Sequence, residues 1–60
     1  MKLQGLFDFG SRGFSILLET ARKEFRVYEV AVHERNGSAR LVKAGPELRR
    51  LTIQKAQERR

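Results

Sequence analysis

The residues most able to do chemistry are cations, and they gather near the C-terminal end. Arg49, Arg50, Lys55, Arg59 and Arg60 stand against Glu58 alone in the last twelve residues. That stretch carries a net +4 of a formal +6 at pH 7, whereas residues 1–48 carry only +2. A second basic set, Arg35, Arg40 and Lys43, surrounds Asn36-Gly37, with Arg26 on the run before it. Guanidinium and ammonium groups pair with phosphates and displace condensed counterions, so five engaged tail cations would give a salt slope of about −4 on DNA. Little in the tail reads base edges, so such contacts are largely independent of sequence. A two-stranded ribbon bearing Arg35, Arg40 and Lys43 fits a DNA major groove. The same charges also suit an acidic protein surface. They have plain structural uses too, because Arg is favourable at a helix C-terminus and charged strand positions discourage edge pairing.

Catalytic chemistry finds little support. A nucleophile needs a base within reach, and His33 is the sole imidazole, placed just before a turn among charged residues. Ser11, Ser15 and Ser38 fall in turns or strand runs. There is no phosphate-cradling glycine loop ahead of a helix, no His-Glu motif and no close carboxylate pair. Asp8, Glu19, Glu24, Glu29 and Glu34 are spread along the chain. With no cysteine, neither a disulfide nor a thiolate metal site can form. The expectation is a non-enzymatic protein with no catalytic residue, no metal and no cofactor.

One short stretch resembles a known binding element. Residues 12–19, RGFSILLE, resemble the central strand of the RNA recognition motif, whose pattern is basic, Gly, aromatic, small, aromatic, Val, any, aromatic. Arg12, Gly13, Phe14 and Leu17 match in type, and Ser15 approximates the small residue. Ile16 and Glu19 stand where two stacking aromatics belong, which leaves Phe14 alone to offer a base a face. The resemblance covers eight of 60 residues and implies an RNA-contacting strand. Read from the residues themselves, the same stretch is a hairpin strand with Phe14, Ile16 and Leu18 as its core face.

These side chains need elements to hold them. Sixty residues make one small domain over 1–60, with a basic helix or tail at about 46–60. So short a chain buries only about 60% of its unfolded surface. Leu3, Gly5, Phe7 and Phe9 alternate, which predicts a strand with Gly5 as a bulge or close approach. Gly10 to Gly13 predicts the turn of a first hairpin. The segment 14–19 reads as its second strand, with a helix at about 15–24 as the alternative, because LLETARKEF has high helix propensity. Asn36-Gly37 supplies the two positive-φ residues of a type I′ turn between FRVYEVAVHER and SARLVK. The first of those runs does not alternate cleanly, so either both its faces are covered, which fits a central strand better than an edge, or a bulge changes its phase. Gly45-Pro46 then opens a helix with Glu47 in its first turn, whose first two turns dock and whose last turns project or fray; a short strand at 49–54 is the alternative.

The expected fold is α+β, a small antiparallel sheet of three to four strands with one C-terminal helix. Phe7, Phe9, Phe14, Ile16, Leu18, Phe25, Val27, Tyr28, Val30, Val32, Leu41, Leu48 and Leu51 are core candidates, too many for so small a body. Some of that surface therefore meets a second copy, giving a homodimer, or another protein of a larger complex. No run of about 18 apolar residues exists and no signal peptide opens the chain, so no membrane partner and a cytoplasmic location are expected. The leading expectation of function is a nucleic-acid-binding module for DNA or RNA. The alternative is a small protein-binding accessory factor, either a subunit of a larger assembly or an inhibitor of a host enzyme.

Overall fold

Period-two alternation becomes strand in four places, and the Gly45-Pro46 pair becomes a helix start. The computed structural model describes residues 1–33 and 38–59, with backbone alone at 32, 33 and 38. Strand β1 spans Lys2–Asp8, β2 Phe14–Glu19, β3 Phe25–His33 and β4 Ser38–Lys43, and helix α1 spans Pro46–Glu58. The strands form one antiparallel sheet in the order β1-β2-β3-β4. The fold is thus the expected α+β sheet with one C-terminal helix.

The contested segment 14–19 is a strand. Its backbone is satisfied on both sides, by β1 and by β3, which a helix at 15–24 would forfeit. Residues after Glu19 form a tight turn instead. Thr20 N–H donates to Glu24 O at 2.8 Å and Lys23 N–H to Thr20 O at 2.9 Å, with Lys23 in the left-handed region at φ 65°. The first hairpin closes through a 3-10 turn over Gly10–Arg12, where Gly10 and Gly13 take φ 62° and 100°. Gly10 N–H donates to Asp8 Oδ1 at 2.8 Å, and Phe9 N–H to Gly13 O at the same distance. Strands β3 and β4 pair out to His33 and Ser38 as the expected second hairpin. The turn residues Asn36-Gly37 themselves lie outside the described range.

The helix docks on the opposite side of β2 from the one expected. Ser15 and Leu17 point into the core, while Phe14 is 43% exposed and Ile16 and Leu18 share its outer face. The reason lies in the rows beneath the helix. Gly5, Leu17 and Val27 are aligned across three strands, as are Phe7, Ser15 and Glu29. Gly5 leaves space that the Phe7 ring fills, and the small Ser15 lets the helix residue Thr52 reach the sheet. Ser15 and Thr52 are fully buried and their hydroxyls lie 2.6 Å apart. Thr52 Oγ1 also donates to Leu48 O at 2.7 Å, so Ser15 donates to Thr52. A register irregularity between Leu3 and Gly5 changes the phase of β1, which puts Leu3 on the outer face and Gly5 and Phe7 on the inner.

Phe7, Leu17, Val27, Ala44 and Leu48 form the buried cluster, with Phe9, Ile53 and Ala56 packed against it. Phe25 and Leu41, expected inside, are 50% and 47% exposed. Helix α1 starts on Gly45 with Pro46 in its first turn, as expected, and excludes the alternative strand at 49–54. Its last turns do not project. Ala56 packs on the core, and the Arg59 guanidinium carbon lies 4.6 Å from the centroid of the Phe7 ring.

Candidate nucleic-acid interface

Two arginines ten residues apart come together at one groove. Helical geometry places Arg49 and Ile53 on one flank of the buried stripe made by Leu48, Thr52 and Ala56. Arg59 follows at the helix end. The groove between this flank and the sheet encloses about 480 Å³. Phe7, Leu17, Ile53 and Ala56 make its floor, Gln4 and Gln57 contribute amides, and Arg49 and Arg59 supply the charge. Phe25 completes the lining as a half-exposed aromatic face just after the Thr20–Glu24 turn.

The positions are held by ordinary forces. Arg59 lies over Phe7, a cation–π contact worth about 0.5–1 kcal/mol at an exposed site. Gln4 Nε2 donates to Glu19 Oε1 at 2.8 Å across the β1–β2 pair. Arg12 and Glu47 approach to 3.4 Å, which ties the first turn to the helix start. Both side chains are about two-thirds exposed, so this ion pair contributes at most about 1 kcal/mol.

A second, shallower depression of about 420 Å³ runs along the helix, lined by Pro46, Arg49, Arg50, Ile53, Gln54 and Gln57. Arg49 and Gln57 border both depressions, so Arg50, Arg49 and Arg59 form one continuous band. Lys55 does not join it. It lines neither depression, and six residues at about 100° each put it about 120° from Arg49 around the helix. The hairpin cations separate as well. Arg40 pairs opposite Ala31 on the helix side of β4, and Lys43 opposite Tyr28 on the outer side. Arg35 and Arg60 lie outside the described residues. Of the eight expected site residues, Arg49, Arg50 and Arg59 are therefore brought together, while Arg40, Lys43 and Lys55 are dispersed.

The sequence did not single out Phe25, Gln4 or Gln57. A signal was present for Gln57, because Arg49, Arg50, Ile53, Gln54 and Gln57 recur at helical spacing as one stripe. Phe25 reads as core from its neighbours, and only the place of the helix leaves it half open. Compared with protein-family models, curated proteins and solved structures, the chain matches none. Among the described residues, no helix is long and apolar enough to cross a membrane.

Proposed function

We propose that this chain is a non-enzymatic nucleic-acid-binding module whose contact surface is the helix-side groove. The observation that carries this reading is the convergence of Arg49 and Arg59 on one groove beside a half-exposed Phe25. The arginines contact phosphates, with Arg50 extending the track, and Phe25 offers a face on which an unpaired base stacks. Stacking requires a base out of the duplex, so single strands bind more tightly than duplexes.

Anisotropy titrations with single-stranded and duplex oligonucleotides over a range of salt test this. Arg49→Ala and Arg59→Ala should each flatten the salt slope by about 1, and Phe25→Ala should weaken single-strand binding by about 1–3 kcal/mol. Lys55→Ala, outside the band, serves as the comparison. An absence of salt-dependent affinity for both oligonucleotides ends the proposal.

A second reading, the protein-binding accessory factor, is favoured by the apolar floor of Phe7, Leu17, Ile53 and Ala56. Phosphates have no use for such a floor, whereas apolar side chains set between the carboxylates of an acidic peptide do. Recovery of one partner protein after nuclease treatment, with the loss of that partner in Arg49→Ala, would favour it.

A further inference from the structure

The outer face of the sheet is apolar and uncovered. One row across it holds Leu6, Ile16, Tyr28 and Lys43. The row beside it toward Glu19 holds Leu3, Leu18 and Arg26. On the other side, Asp8 pairs with Phe14 and Val30 with Leu41. Leu3 and Leu6 are 60% and 58% exposed, and Phe14 and Leu41 are nearly half exposed. Strand β3 lies inside the sheet, yet Tyr28 and Val30 on its outer side have no layer above them. Its sequence is that of a strand with two covers, and the chain supplies one.

We propose that a second copy of this chain supplies the other, by packing outer face on outer face about a two-fold axis parallel to the strands. Two features select a second copy. The first is area. Four strands about 4.8 Å apart, over six residues of about 3.3 Å rise, give a plan of roughly 400 Å², and protruding side chains raise the accessible area above that. The face thus approaches the lower end of specific interfaces, about 600 Å² per partner. The second is charge. Such an axis lays β1 of one copy over β4 of the other at equal height. Asp8, on the β1 edge, then meets the row that holds Leu41, one same-face row and two residues from Lys43 of the other copy. The acidic edge and the basic edge complement each other twice. Among the described residues, the pairing rows place only Arg26 and Lys43 of the Lys and Arg on this face, both near its border. Arg49, Arg50 and Arg59 stay on the outside of the pair, available to a ligand, so this inference does not rest on the proposed function.

Sedimentation of the whole chain over a range of concentrations, without nucleic acid, tests it. The wild-type chain should dimerise in the roughly micromolar range. Leu6→Glu and Leu41→Glu, at positions already half exposed, should be monomeric with an unchanged circular dichroism spectrum. Asp8→Lys and Lys43→Asp should each weaken self-association, because both edge contacts become like-charged. Mixed together, the two variants should form a heterodimer, in which both contacts are restored. A wild-type chain that stays monomeric, folded Glu variants that still dimerise, or charge variants that do not prefer each other would overturn the proposal. Protection of Tyr28 by single-stranded RNA in a monomeric chain would assign the face to nucleic acid instead and would equally overturn it.

Discussion

Ser15 and Thr52 are 37 residues apart in sequence and share a hydrogen bond that no water reaches. Thr52 accepts from Ser15 and donates to the Leu48 carbonyl, so both hydroxyls are satisfied. Replacing Thr52 with valine keeps the shape but leaves Ser15 with a buried, unpaired hydroxyl. Thr52→Val should lower unfolding free energy by about 1–3 kcal/mol, measured by urea denaturation. The double change Ser15→Ala with Thr52→Val should recover part of that loss, since an apolar pair in the same space leaves nothing unpaired. If the two single changes simply add, the hydroxyls are not coupled. None of this was legible in the sequence, where Ser15 reads as a polar residue of a strand and Thr52 as one of a helix.

At the scale of the element, β1 can seat Phe7 only because residue 5 is a glycine. A Cβ at that position would stand 2.9 Å from the Phe7 ring, within the van der Waals limit. Gly5→Ala must therefore displace Phe7, which belongs to the buried cluster and sits beneath Arg59. The expected result is a loss of about 1–3 kcal/mol of stability in denaturant titration, with weakened oligonucleotide binding as Arg59 loses its platform. The glycine as a close approach was readable from its place in an alternating run. Both hairpins were readable too, from Gly10 and Gly13, which take positive φ in the first, and from the Asn-Gly pair between the two runs that become β3 and β4. The strand nature of 14–19 was only half readable. Phe14, Ile16 and Leu18 alternate as a strand does, while LLETARKEF has helix propensity, and pairing with β1 and β3 on both sides decides for the strand.

At the scale of the whole molecule, the two faces of the sheet divide the work. One face carries the helix and the arginine band, and the other carries the uncovered aliphatic and aromatic rows. If a second copy covers those rows, folding and association are linked, and the melting temperature must depend on protein concentration. Calorimetry over a hundredfold concentration range should show the midpoint rising with concentration for the wild-type chain and staying fixed for Leu6→Glu. A constant wild-type midpoint would mean that the fold is complete without a partner. Such a dimer would place its two arginine bands on opposite outer sides.

The sequence by itself determined β1, the β3–β4 pair, the turn at Gly10 to Gly13, the start of the helix and the concentration of charge near Arg49 to Arg60, because each rests on local preferences and period. It also showed more apolar surface than a chain of this length can hide. Tertiary structure alone decided which face of the sheet is inside. Alternation gives every strand two equivalent faces, and Phe14, Ile16 and Leu18 look the better core by hydrophobicity alone. The helix went to the other face, where Thr52 meets Ser15 and where Gly5 leaves room for the Phe7 ring beneath Arg59. That choice exposed Phe14, Leu6 and Leu41. It also brought Arg49 and Arg59 to one groove and put Arg40 and Lys43 on opposite faces, since three residues along a strand is an odd step.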